Sequence, residues 1–252
     1  MKEKHARLFY LRKFINRVRK EFHDTITDYK FFKTCIILLS GGYFGLIVLG
    51  IIIAFIFGGQ TAPPGTYHIW TNYISDLGGI AFTPAPYLYD LAAILCGVLT
   101  IPFWFYLETL LVPLPQKPEE YNKITRLRYR LGSYGILFSS IGSIGYVGIG
   151  FFSIDRDYMN FMHLFSGALA FGGFILGALF YSGIIVLYNT RIPKILGLYG
   201  IFGPFLVVGF TILVFLNFPV LLCLFEWLVL FSIIIWMMAV AMVIILDENL
   251  HL

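Results

Sequence analysis

Long apolar runs that carry almost no charge constrain this chain more than any other feature. Residues 35–57, 131–152 and 195–216, for example, contain no Asp, Glu, Lys or Arg. About 20 such residues are enough to cross the hydrocarbon core of a bilayer. Because no water reaches that core, each crossing segment must satisfy its own backbone hydrogen bonds, and segments of this length do so as helices. Only 13% of the residues are charged, against about 25% in soluble domains, so the chain belongs in a membrane.

Six such segments are predicted. Asn217 and Pro219 divide the long C-terminal apolar region into two, which gives the sixth span. The expected fold is all-α, an integral membrane bundle of six transmembrane helices in one domain over residues 34–252. A basic segment over residues 1–33 precedes it. The predicted spans are 35–57, 87–112, 131–152, 159–188, 195–216 and 220–246.

The distribution of Lys and Arg predicts the orientation of the bundle. Ten of the 18 precede the first span, five lie between spans 2 and 3, and two lie between spans 4 and 5; only Arg156 falls on the other side. Because cationic loops stay in the cytoplasm, both termini are predicted to be cytoplasmic. The net charge of +4 is then a signal of sidedness, and no nucleic-acid partner is expected. The first apolar run is too long and too late for a cleaved signal peptide, so it is expected to be retained.

The N-terminal segment has the pattern of a basic amphipathic helix. Apolar residues recur at steps of three and four, with cations between them: Leu8, Leu11, Ile15, Val18 and Phe22 against Arg12, Lys13, Arg17, Arg19 and Lys20. Such a helix suits anionic lipids of the inner leaflet, where each cation contributes roughly 1 kcal/mol. It can equally be an ordinary juxtamembrane determinant of topology.

The acidic residues outside the basic regions collect at the predicted outer face, together with His163 and His68. Asp76 lies in the stretch TNYISDLGGIAFTPAP, residues 71–86, with no Lys or Arg nearby. Ionisable residues at membrane depth are costly, which makes Glu226 and His163 candidates for binding or acid–base chemistry. A shared proton or a bound cation would suit them equally. The predicted binding cluster is Asp76, Asp90, Asp155, Asp157, His163 and Glu226, with Ser75, Asn160 and His68 in a secondary role.

Structural roles compete with these functional ones. Asp90, Asp155 and Asp157 stand where helices begin or end, and acids near helix N-termini are stabilised by the helix dipole. Glu226 and His163 can equally form polar contacts between helices. The chain has no metal-binding His-Glu-x-x-His helix, phosphate loop or nucleophile elbow, so neither a cofactor nor a catalytic residue is predicted. The centres of the predicted spans are apolar and no inverted repeat is evident, so transport is less favoured than the two functions considered below.

Two segments resemble a known pattern. YISDLGG followed by a proline, and GFFSIDRDYMNFMHLFSGALAFGG at span 4, resemble the Frag/DRAM/Sfk superfamily and allied prokaryotic six-span families. The matching positions are Ile74, Ser75, Asp76, Gly78, Pro84 or Pro86, Gly150, His163 and Gly167. The resemblance implies a six-helix fold and a lipid-related role, with Asp76 and His163 as shared polar positions. Asp155, Asp157 and Glu226 lie outside that pattern.

Two functional hypotheses follow. The first is a multi-pass protein that binds or handles a lipid headgroup or a cation in a polar pocket at the extracytoplasmic face. The second is a non-catalytic scaffold or subunit of a membrane complex, in which the same residues only lock helices and loops together. Membrane lipids are the expected partners, with another membrane protein as a further one. Because the chain has no eukaryotic sorting signal, a prokaryotic cell membrane fits it better than a eukaryotic endomembrane.

Overall fold

The structure, a computed structural model, describes residues 20–113, 126–156, 161–217 and 222–251. Within those ranges every regular element is a helix and no strand occurs, as predicted. Each predicted span falls almost entirely within one long helix. We number these helices α1 (Tyr29–Phe57), α2 (Tyr87–Leu111), α3 (Arg126–Phe151), α4 (Met162–Leu187), α5 (Lys194–Asn217) and α6 (Leu222–Leu246).

Five of the described helices are long and apolar enough to cross a membrane: α1, α2, α3, α4 and, over Glu226–Leu246, α6. In α5 the apolar helical stretch covers Lys194–Phe210, which is shorter than the stretches in the other five helices. The chain therefore has the character of a multi-pass integral membrane protein.

Two helices begin earlier than the sequence predicts. The Asp28 carboxylate caps α1 by accepting the Phe31 N–H at 2.9 Å, so α1 starts six residues before the apolar run does. Helix α3 starts at Arg126 and carries three arginines before its apolar part. In both cases the helix extends beyond the apolar run, which an apolarity pattern alone does not detect. Helix α1 also contains a π-helical turn at Leu39–Tyr43, where Ser-Gly-Gly favours the α-helix weakly.

Small residues let α3 and α4 approach each other closely. A Cβ on Gly173 would collide with the Gly142 backbone, and one on Gly177 would collide with Ser139. Gly173 and Gly177 therefore act as packing residues. Gly41 and Gly45 do not, because a Cβ there would meet no described atom within 4 Å.

An aromatic core lies between α2, α4 and α6. The indole ring of Trp104 is stacked with that of Trp236, with centroids 6.1 Å apart, and with the Tyr181 ring at the same distance. All three side chains are buried. Helix α1 joins this core through Tyr43, whose hydroxyl lies 2.7 Å from that of Tyr146 on α3. Paired phenols satisfy each other where no water reaches them.

The two ends of the bundle differ in charge. One end, which we call the acidic end, contains the α1–α2 loop, the described part of the α3–α4 loop and the first turn of α6. The other, the basic end, contains every described Lys and Arg except Arg156. Residues 1–19 lie outside the described ranges, and residues 20–26 are helical, so the N-terminal amphipathic helix stays a prediction.

Candidate functional site

The Gly- and Pro-rich segment around Asp76 contains a buried 3-10 helix, Ile74–Gly78, at the acidic end. The Asp76 side chain lies beneath it, 6% exposed. Its Oδ2 accepts the Tyr73 N–H at 2.9 Å and the Asn72 amide at 3.4 Å. Burial raises the pKa of Asp76 above its ordinary value, and these two hydrogen bonds and the nearby His163 ring oppose that rise. Asp76 is thus held by neutral donors rather than by a cation.

The first turn of α6 docks onto the same short segment. Glu226 Oε2 accepts the Ile74 N–H at 3.1 Å. The next residue, Trp227, donates its indole N–H to the Asn72 carbonyl at 3.0 Å. The carboxylates of Asp76 and Glu226 therefore both receive the N–H groups that begin the 3-10 helix, which would otherwise be unpaired.

His163 occupies the first turn of α4. Its Nδ1 lies 2.6 Å from the carbonyl oxygen of Phe152, at the end of α3. Because a carbonyl only accepts, Nδ1 carries a proton. In the neutral ring Nε2 is then the basic nitrogen, the form that suits general acid–base work or a hydrogen bond from a ligand.

A cavity of about 470 Å³ lies between these groups and helices α3 and α4. This volume falls within the usual range for small-molecule sites, about 300–1,000 Å³. Five lining residues carry ionisable or hydroxyl groups, and the rest of the wall is apolar. The lining residues are Tyr73, Ser75, Tyr89, His163 and Glu226, together with Ile149, Ile154, Leu164, Gly167, Ala168 and Phe171.

The cavity is not sealed from the surface of the bundle. Leu164 lines it and is 77% exposed. Helix α5 packs closely on α4 near the basic end, where Gly197 and Gly200 contact Ile185 and Ser182. Toward the acidic end α5 leaves four large apolar side chains exposed: Phe202, Phe205, Leu206 and Ile212. None of the described residues of α5 lines the cavity.

Asp90 and Asp155 belong to a separate ion-pair network centred on Arg156. The guanidinium Nη2 of Arg156 lies 2.7 Å from Asp90 Oδ2, and Nε lies 3.2 Å from Asp155 Oδ1. Nη2 also donates to the Gly78 carbonyl at 2.8 Å. Asp90 further accepts the Ser153 hydroxyl at 2.7 Å, and Asp155 accepts the Ile80 N–H. The network ties the α3–α4 loop to the end of the 3-10 helix.

The predicted cluster is therefore divided. Ser75, His163 and Glu226 line the cavity, and Asp76 follows Ser75 in the 3-10 helix. Asp90 and Asp155 do not line it. His68 lies elsewhere, with its ring stacked on Trp70 at 5.0 Å between centroids. Asp157 and Asn160 lie outside the described residues.

Sequence reasoning did not identify the apolar part of the cavity. Tyr73, Tyr89 and Phe171 line it, as do the small residues Gly167 and Ala168. Gly167 follows His163 by four positions and so shares its helix face, which was a usable signal. Nothing in the local sequence links Tyr73 or Tyr89 to that face, because the 3-10 helix brings Tyr73 there and the first turn of α2 brings Tyr89.

The described residues contain no group of three or more His, Cys, Asp and Glu side chains arranged to hold a metal ion. The three cysteines form no disulfide. Cys35 and Cys96 are buried, and Cys223 is partly buried.

Comparison with known proteins assigns no family to the chain. No protein-family model, curated protein or solved structure matches it. The resemblance to the Frag/DRAM/Sfk superfamily therefore stays a prediction, and the function has to be argued from the cavity.

Proposed function

We propose that this protein binds a membrane lipid in the cavity at its acidic end. The headgroup lies against Ser75, His163 and Glu226, and an acyl chain follows the apolar wall formed by α4. The observation that carries the proposal is the composition of the cavity, a mostly apolar space that also holds Ser75, His163 and Glu226 and is lined by the exposed Leu164.

An amphiphile fits this arrangement better than a bare cation does. A metal ion prefers several oxygen or nitrogen ligands at once, and no such group of three occurs among the described side chains. A lipid uses both parts of the cavity, since its chain buries apolar surface while its headgroup meets polar side chains. We assign no turnover to the site.

The polar lining residues also restrict the headgroup. Glu226 lines the cavity, and Asp76 follows the lining residue Ser75 in the 3-10 helix. No Lys or Arg is among the described residues that line the cavity. Headgroups that donate hydrogen bonds, such as amines and hydroxyls, are therefore favoured there over bare phosphates.

The proposal includes the topology. Helix α5, with 24 residues, also crosses the membrane and brings the number of spans to six, both termini are cytoplasmic, and the acidic end faces outward. The basic N-terminal segment contacts anionic lipids of the inner leaflet, and the protein resides in a prokaryotic cell membrane. A lipid-handling role is also what the resemblance to the Frag/DRAM/Sfk superfamily implies.

The second candidate, a non-catalytic scaffold or complex subunit, is favoured by the Arg156 network. Asp90, Asp155, Asp76 and Glu226 each accept hydrogen bonds from the loops that they hold in place. In that case the acidic end is a rigid cap whose loops contact a partner, and the cavity holds no specific lipid.

A matched pair of glycine substitutions separates the two candidates. Gly167 lines the cavity and Gly172 does not, and at both positions an added Cβ meets open space. Gly167→Leu should fill the cavity, whereas Gly172→Leu places the same side chain elsewhere on α4. Both variants are extracted in mild detergent and compared with the wild type by native mass spectrometry.

Lipid binding predicts one retained lipid on the wild type and on Gly172→Leu, and its loss from Gly167→Leu. A wild type without retained lipid, or equal retention in all three proteins, would overturn the proposal and favour the scaffold.

A further inference from the structure

A second, smaller cavity lies at the basic end, about 200 Å³ in volume. It is enclosed by the end of α2, the first turn of α3, the α4–α5 connection and the segment after α6. Two arginines and three side chains able to donate hydrogen bonds line it: Arg128, Arg191, Asn189, Thr190 and Asn249. Its chemistry is therefore opposite to that of the cavity at the acidic end.

Arg128 is held in place by two contacts. Its Nε donates to the carbonyl oxygen of Leu111 at 2.7 Å, at the end of α2. Its guanidinium carbon lies 5.2 Å from the centre of the Tyr188 ring, within cation–π distance. The positive charge at this wall of the cavity is thus oriented by the fold.

Arg191 forms the opposite, more accessible wall. Its Nη1 donates to the Asn249 carbonyl at 3.0 Å, and the side chain is exposed. That carbonyl belongs to a well-anchored segment, since the buried Tyr106 hydroxyl donates to the Leu250 carbonyl at 2.8 Å. The two guanidinium groups therefore face one space from positions that the backbone fixes.

No acidic residue is among the residues found to line this cavity. The Asp247 carboxylate acts on Arg191 electrostatically. Its Oδ1 already accepts the Asn249 N–H at 3.0 Å and the Asn249 side-chain amide at 2.9 Å. The described lining of the cavity therefore offers donors from an amide and a hydroxyl beside two guanidiniums.

From this geometry we propose that the basic-end cavity binds a phosphate group. Arg128 and Arg191 contact its oxygens, with Thr190 and Asn189 as additional donors. Because the cavity lies at the ends of the helices, on the face that we propose to be cytoplasmic, the phosphate can come from an anionic lipid headgroup or from a soluble phosphate compound. The inference does not depend on lipid binding at the acidic end.

Thermal unfolding of the full-length protein in a neutral maltoside detergent tests the site. The protein is titrated separately with dioctanoyl-phosphatidylglycerol, with inorganic phosphate at constant ionic strength, and with dioctanoylglycerol, which has the same chains and no phosphate. A ligand that binds only the folded state raises the unfolding midpoint. Arg191→Gln and Asn189→Asp both alter exposed lining residues, and Arg130→Gln removes an exposed cation of α3 outside the cavity.

The proposal predicts that a phosphate ligand raises the midpoint of the wild type and of Arg130→Gln. Half-maximal stabilisation should require at least about tenfold more ligand in Arg191→Gln and in Asn189→Asp, the loss expected for one charge-assisted contact. A response to inorganic phosphate identifies a soluble source, and a response to phosphatidylglycerol alone identifies a lipid. No response to either, an equal response to dioctanoylglycerol, or equal weakening in Arg130→Gln and Arg191→Gln would overturn the proposal.

Discussion

Single carboxylates at the acidic end are stabilised in two different ways. Asp90, which is buried, is paired with Arg156, whereas Asp76 and Glu226 receive main-chain N–H groups and have no cation in hydrogen-bonding contact among their described partners. Charge on a buried group is costly unless it is compensated, and neutral donors compensate it less completely than an ion pair does. The two kinds of carboxylate should therefore respond differently to pH and to mutation.

Asp76→Asn should change how stability depends on pH. Because burial raises the pKa of Asp76 in the folded protein, the folded state favours its protonated form. Its contribution to stability is complete below the ordinary carboxyl pKa of 3.8 and is lost as the pH rises through the raised value. As the pH rises from 3.8 through the raised pKa of Asp76, the thermal unfolding midpoint should therefore fall more steeply in the wild type than in Asp76→Asn.

Asp247→Asn supplies a control of opposite sign. Hydrogen bonds from the Asn249 side chain and backbone lower the pKa of Asp247, so the wild type loses its small contribution as the pH falls. If Asp76→Asn and the wild type showed parallel pH profiles, the assigned burial effect would be wrong.

The Arg156 network should behave as one unit. Arg156→Gln leaves Asp90 buried with only the Ser153 hydroxyl as a side-chain partner, which destabilises the fold. Adding Asp90→Asn to Arg156→Gln should therefore cost much less than Asp90→Asn does alone. A double-mutant cycle of unfolding free energies should give a coupling of about 0.5–3 kcal/mol. Additive effects, or an equal loss in the exposed-cation control Arg130→Gln, would contradict the network.

At the scale of elements, the sequence was sufficient for the helices and insufficient for the loop that completes the site. Apolar runs locate a helix well because the bilayer leaves the backbone no alternative. The starts of α1 and α3 were missed because Asp28 and Arg126 belong to polar turns beyond the apolar run. The 3-10 helix Ile74–Gly78 could not be derived from its own residues, since Glu226 and Trp227, about 150 positions later, fix it in place.

Trp227→Phe tests whether α6 holds this loop. The change removes the indole hydrogen bond to Asn72 and keeps an aromatic ring. Losing one such bond, about 1 kcal/mol, should speed amide hydrogen exchange across Ile74–Gly78 roughly fivefold. Trp236→Phe removes a comparable bond to Leu196 at the far end of the bundle. It should leave exchange at Ile74–Gly78 unchanged, and equal acceleration in both variants would mean that the loop is not held locally.

At the scale of the whole molecule, the separation of charge organises the protein. The sequence predicted that Asp76, Asp90, Asp155, His163 and Glu226 share one end and that almost all cations lie at the other, and the described helices bring those residues to opposite ends. The sequence did not predict which acids join the Arg156 network and which lie at the cavity. That division depends on which carboxylates the Arg156 side chain contacts in the folded protein. The proposed sidedness and the sixth span remain open to direct test.

Cysteine accessibility tests the topology. Single cysteines are introduced by Lys20→Cys, Thr71→Cys or Glu248→Cys after replacement of the three native cysteines, and intact cells are treated with a membrane-impermeant maleimide. Six spans with cytoplasmic termini predict that Thr71→Cys reacts in intact cells and that the other two react only after lysis. If α5 did not cross the membrane, Lys20→Cys and Glu248→Cys would react from opposite sides.

The central claim, that a lipid occupies the cavity between α4 and the 3-10 helix, is tested most directly by cross-linking in the native membrane. Cells are supplied with a fatty acid that carries a diazirine, irradiated, and the modified peptides are mapped by mass spectrometry. The account predicts a preferred cross-link to α4 between Leu164 and Phe171 that Gly167→Leu abolishes and Gly172→Leu retains. Labelling spread evenly over the exposed faces of the helices, unchanged in Gly167→Leu, would contradict it.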